Sequence, residues 1–247
     1  MRGTAIEFRL RVVFMVAGIA LGFWAPWIEV WGVGRRIPLL MWLALKLSRP
    51  GGMELATAIP IVIIAGALLA ALGAALRIWG TAWLGTATVN HMEMKAGAVM
   101  ADGPYRYMRN PLYLGSWCMF AAMSLLMPVT GAVFTMAVLT VFLLRLILGE
   151  EAFLSSQLGE PYRAYLCAVP RLFPRLRPSL SSTGARPRWL IGVLAEITPI
   201  GVFVTLAFLS WSYDNLLMER AILVSFGVSL VVWALLPADR GARRLVA

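Results

Sequence analysis

The chain has 247 residues, of which 60% are hydrophobic and only 14% charged, with a net charge of +10 and a pI near 10.6. A soluble domain of this length cannot hide so much apolar surface, so the composition excludes a water-soluble fold and predicts a polytopic membrane protein. The basic balance is accounted for by residues that flank membrane spans and face anionic lipid, and nucleic acid is not an expected partner.

Taken in order, the chain reads as about six transmembrane helices. Arg2, Arg9 and Arg11 precede an apolar run from Val12 to Trp31 that ends in a belt of Trp24, Trp27 and Trp31. No small-residue cleavage site interrupts it, so it is expected to be an uncleaved first span. After Arg35-Arg36, the run from Ile37 to Leu47 is too short to cross and is expected to be interfacial or re-entrant. The second span is expected from Leu55 to Ile78, with Gly66, Ala70 and Ala74 forming a small-residue stripe that lets another helix come close.

Residues 80 to 110 read as a surface connector, punctuated by Gly80, Gly85, Gly97 and Asp102-Gly103-Pro104. Pro111 is a favourable first helical residue and opens a third span to Met127. Pro128 to Gly131 make a turn, and a fourth span follows from Ala132 to Leu148. Glu150-Glu151 are poorly placed for the dipole of a helix that stops there, so the helix is expected to run on through Leu158 to a Gly159 cap. Pro161 opens a short helix that stops at Val169-Pro170, and a strongly basic loop follows. Spans five and six are expected at Trp189–Trp211 and Leu216–Leu236.

Sixteen lysines and arginines then fall on the side of the termini, the 77–110 connector and the 149–188 loop, against four on the other side. The positive-inside rule puts the larger group in the cytosol. The Glu150-Glu151 pair, the connector and both termini face that compartment. An arginine-rich composition points to a bacterial inner membrane.

Cys118 and Cys167 fall in different environments and are not expected to pair. A single histidine, His91, excludes a multi-histidine metal site, and no metal is expected. No phosphate-binding glycine loop and no Rossmann turn are present, so any cofactor must bind to helix ends and their loops. The methionines read as core filler.

The densest polar and aromatic cluster is Gly103-Pro104-Tyr105-Arg106-Tyr107-Met108-Arg109-Asn110-Pro111-Leu112-Tyr113-Leu114-Gly115, set directly before an apolar helix. Such a cluster at a membrane boundary calls for a use. An interfacial aromatic belt is the alternative reading of its tyrosines.

This box resembles the G-x-Y-x-x-x-R-H-P-x-Y-x-G motif of the membrane methyltransferases, a superfamily that includes isoprenylcysteine carboxyl methyltransferase and the phospholipid N-methyltransferases. A helical hairpin, Glu150-Glu151, Leu158-Gly159-Glu160-Pro161-Tyr162-Arg163-Ala164-Tyr165 and Val169-Pro170-Arg171 follow in the family's order. The resemblance spans about residues 76–176, leaving 1–75 as N-terminal membrane helices and 177–247 as a C-terminal helix pair with a basic tail. It implies S-adenosyl-L-methionine as cofactor and a lipophilic acceptor delivered from the bilayer. Gly97, Ala98, Val99, Met100, Tyr105, Asn110, Pro111, Leu112, Tyr113 and Glu150 are the implied cofactor contacts. Arg109, Arg145 and Glu151 form the candidate catalytic set, in which Arg109 and Arg145 orient a carboxylate and Glu151 is the member better suited to a structural task.

Gly97 and Asn110 stand where the family usually has histidine. Asn110 keeps a donor and an acceptor but cannot titrate, and methyl transfer from a sulfonium needs no proton there. Two other readings remain: an NADPH-dependent membrane reductase built on a similar helical core, and a non-catalytic scaffold or transporter.

Overall fold

A computed structural model describes residues 3–24, 37–48, 52–84, 102–182 and 184–235. Among them the regular structure is helical, and the one extended pairing is an isolated bridge between Pro38 and Pro128. The helices are α1 (Ala5–Arg9), α2 (Arg11–Trp24), α3 (Leu39–Leu47), α4 (Leu55–Leu84), α5 (Pro111–Ser124), α6 (Val129–Leu158), α7 (Glu160–Ala168), α8 (Trp189–Ala195), α9 (Ile197–Val204) and α10 (Asn215–Leu235).

Three of these, α4, α6 and α10, are long and apolar enough to cross a membrane, and α8 with the segment Ile197–Ser212 makes a fourth candidate bent by 68°. The α2 helix is shorter, and the continuation expected to Trp31 lies outside the described residues. The all-α membrane architecture read from composition is the one observed.

Helices α4 and α6 each have 30 residues. At 1.5 Å per residue each is about 45 Å long, well over the roughly 30 Å hydrocarbon core. Each is therefore longer than that core is thick. Helix α4 outruns the span expected to end at Ile78, whereas α6 runs on past Leu148 to Leu158 with Gly159 as its cap, as expected. In α6 the reason is specific: Glu150 and Glu151 are taken up by side chains of other segments, so they do not terminate the helix.

The small-residue stripe of α4 does what its spacing suggests. Ala70 and Ala74 are buried, and a Cβ on Gly73 would lie 2.8 Å from the Gly115 carbonyl oxygen. The backbones of α4 and α5 thus touch, and α5 enters the bundle against α4. On the other flank, α2 meets α6 through Gly22 and Gly131, and Thr135 donates to the Gly18 carbonyl at 3.2 Å. Phe8, Phe23, Ala70, Met119, Met123, Leu139, Leu143, Val202, Leu206 and Met218 form one continuous core that joins the N-terminal helices, the α5–α6 hairpin and the C-terminal pair.

The short α3 does not cross. Its first amides donate to the turn of the hairpin, Leu39 to Met127 at 2.8 Å and Leu40 to Leu125 at 2.9 Å. Those bonds satisfy donors at a helix start and carbonyls near the end of α5 together. The expected interfacial or re-entrant segment is therefore a cap on the end of the hairpin remote from the box.

Candidate active site

The box begins with a 3-10 turn, Gly103–Arg106. Gly103 has φ +56°, and a Cβ there would collide with the Trp83 indole, so both the backbone angle and the space require glycine. The turn buries Tyr105, whose hydroxyl lies 3.5 Å from the Gly80 carbonyl and whose own carbonyl accepts from Tyr165 at 2.9 Å. Burial, and then the nearby Glu150 carboxylate, raise the Tyr105 phenol well above its usual pKa, so it stays protonated. Asn110 precedes α5, and Pro111 begins the helix as expected.

Glu151, only 7% exposed, draws the segments around the box together. Arg109 Nε donates to it at 3.0 Å, Arg171 Nη2 at 2.8 Å, and Asn110 Nδ2 at 3.4 Å. Arg109 also donates to the carbonyls of Leu166 and of Val169, the latter at 2.8 Å, and Asn110 to that of Arg171 at 3.1 Å. Box, α6 and the end of α7 are thus tied by one carboxylate. The hydrogen bonds to Glu151 hold the Arg171 guanidinium above its usual pKa.

Glu150 points to a different neighbour. Tyr113, one turn into α5, donates its hydroxyl to Glu150 Oε2 at 2.9 Å. The adjacent carboxylates therefore split: Glu151 to the clamp, Glu150 to the α5–α6 seam. Glu150 is 21 residues from the start of α6, about 32 Å along it, a distance comparable with the thickness of a bilayer core. Arg11, stacked with its Cζ 4.2 Å above the Phe8 ring, brings the N-terminal helices to the same region, since Tyr113 packs on the core that contains Phe8.

Arg145 is not part of this group. It forms a double hydrogen bond with Glu7 of α1, at 3.0 and 3.1 Å, while its carbonyl accepts from the Gly3 amide at 2.9 Å. Glu7 also accepts from the Thr4 amide at 2.6 Å, and that bond is the main reason its carboxyl lies below its usual value, the Arg145 cation adding to it. Gly97, Ala98, Val99 and Met100 lie outside the described residues, as does His91.

A second polar cluster was not anticipated from sequence. Arg77 Nε and Nη2 donate to the two oxygens of Glu196 at 2.6 and 3.1 Å. Thr81 donates to the same carboxylate at 2.6 Å, and Arg77 Nη1 to Ser116 at 2.6 Å. Glu196 is 1% exposed and sits at the break between α8 and α9. Its signal was available as the single acidic residue in the apolar run from Trp189 to Trp211. Arg77 and Glu196 are thus paired inside the bundle.

Among the described residues no three His, Cys, Asp or Glu side chains converge as metal ligands, and Cys118 and Cys167 are free thiols. The Trp83 indole N–H, beside Gly103, is buried with no hydrogen-bond partner among the described residues.

Neither a curated protein nor a solved structure matches the chain. Residues 61–161, which hold most of α4, the box, the α5–α6 hairpin, both glutamates and the start of α7, match the family model for phospholipid methyltransferases, a family of the isoprenylcysteine and phospholipid methyltransferase superfamily.

Proposed function

We propose that the protein is an S-adenosyl-L-methionine-dependent methyltransferase of the bacterial inner membrane. It acts at the cytosolic face on a lipophilic acceptor that arrives through the bilayer. The family match supports methyl transfer to a lipid-type acceptor. The observation that carries the reading is the 2.9 Å hydrogen bond from Tyr113 to Glu150, set between α5 and α6.

The residues present fit the cofactor. It supplies, when bound, an electrophilic methyl group on a positively charged sulfur. Tyr105 and Tyr113 offer aromatic faces, which attract such a cation. Glu150 has one carboxylate oxygen committed to Tyr113, and the other suits a ribose hydroxyl or an ammonium group. The buried Trp83 N–H, without a partner among the described residues, suits an acceptor atom of the cofactor at the box. Gly97 to Met100, Asn110, Pro111 and Leu112 complete the proposed wall.

Methyl transfer is an in-line displacement, so the chain's task is mostly to position the groups and keep water out. Arg109 and Glu151 act in this reading as positioning residues: their clamp fixes the backbone at Asn110 and Pro111, from which Tyr113 follows one turn later. Arg145, held by Glu7, fastens α1 across α6 in this reading.

The test is calorimetry on the protein in detergent, with the cofactor and its demethylated product as ligands and NADPH as the control for a reductase. Binding of the first two and not the third is expected. Radiolabelled methyl donor with host lipid extract then identifies the acceptor.

A further inference from the structure

The basic segment after α7 is a built element. It runs antiparallel along the box: Arg109 N–H donates to Pro170 O at 2.9 Å, Arg175 N–H to Tyr107 O at 3.1 Å, and Ser179 N–H to Arg106 O at 2.8 Å. Arg106 Nε returns a bond to Leu180 O at 2.7 Å, and Ser182 donates to Asp102 at 2.7 Å. The far end is fixed where Arg188 N–H donates to Ala82 O at 2.8 Å. Pro170, Pro174 and Pro178 stiffen the path between these points.

The outer side of this strap has a different character. Phe173 is 84% exposed and Leu176 101%, with Arg175 and Arg177 exposed between and beside them. From Glu160 to Glu196 the intervening chain has six arginines and no acidic residue. The backbone of the strap is tied to the protein, while its apolar tip stays exposed among the described residues. The strap also ends at Trp189, 52% exposed, where the bent membrane pair begins. That ties its C-terminal end to the level at which a span enters the bilayer.

We propose that this strap docks on the acidic phospholipid surface of the leaflet at the box end, with Phe173 and Leu176 inserted among the headgroups and Arg175 and Arg177 on lipid phosphates. Interleaved apolar and cationic side chains suit that interface, where each basic group is attracted by anionic headgroups. A soluble acidic partner would meet the arginines but leave the apolar tip without a matching phase. The inference does not depend on the reaction proposed above.

The test uses the full chain with Phe173→Cys in a Cys167→Ser background, spin-labelled and reconstituted. Collision of the label with a water-soluble nickel chelate and with oxygen is compared in phosphatidylcholine vesicles and in mixed phosphatidylcholine–phosphatidylglycerol vesicles. Chelate collisions are expected to fall at least about fivefold in the acidic vesicles, the factor one basic side chain near such a surface supplies. Arg175→Gln with Arg177→Gln should return the label to water. A label at Leu176→Cys repeats the measurement at an independent position. Equal chelate access in both vesicles overturns the proposal, as does protection that persists after both arginines are replaced. Protection that needs an added soluble acidic protein also overturns it.

Discussion

At residue scale, the two neighbouring glutamates have opposite duties, and the difference is measurable. Glu151 balances Arg109 and Arg171 in a mostly buried site. Glu151→Gln leaves those cations short of charge and is expected to lower stability by about 3 kcal/mol, as for a buried pair broken on one side. Thermal unfolding in detergent reads this directly. Glu150→Gln should leave the unfolding midpoint nearly unchanged by comparison, because its Tyr113 partner is neutral. Glu7 gives a pH signature. Its folded-state pKa is below the ordinary value of 4.5, so its contribution is present above that value and is lost as pH falls through the lower folded one. Acidification below about pH 4.5 should therefore destabilise the wild type more steeply than Glu7→Gln, in unfolding midpoints followed across pH.

At the scale of elements, the site depends on how closely α4 and α5 approach and on where the α8–α9 break docks. A methyl group on Gly115 would lie 2.7 Å from Arg77 Cγ and 2.8 Å from Gly73 O. Gly115→Ala should push the helices apart and cost about 1–3 kcal/mol, the usual range for overpacking. The same helix pair holds Ser116 and Arg77, so the loss should spread to the polar cluster. Glu196→Gln removes the carboxylate that joins the bent pair to α4, and a stability loss of about 3 kcal/mol is expected. If the bent pair is a detachable appendage, that variant will unfold like the wild type.

For the whole molecule, what could be read in advance followed the range of each interaction. Helical content and membrane setting come from composition and local periodicity, so they were legible. The stop signals were legible too: Pro111 starts α5, and Gly159, at φ +62°, separates α6 from α7. The continuation of α6 past Glu150 to Gly159 was legible too, but the length of α4 was not, because hydropathy ends a span at its first charge, whereas Arg77 is accommodated by a partner distant in sequence. Motif order put Tyr113 and Glu150 in one implied cofactor set, but not their hydrogen bond. The Arg77–Glu196 pair, 119 residues apart, and the diversion of Arg145 to Glu7, 138 residues away, depend on tertiary contacts that no local pattern carries. On the proposed function, the α5–α6 seam binds a sulfonium cofactor through Tyr113 and Glu150. The most direct test of that function is titration calorimetry of S-adenosyl-L-methionine into the wild type, Tyr113→Phe and Glu150→Gln. Saturable one-site binding is predicted for the wild type, weakened about tenfold or more by Glu150→Gln, the loss of one charge-assisted hydrogen bond, and less by Tyr113→Phe. No binding to the wild type, or equal binding to all three, would contradict it.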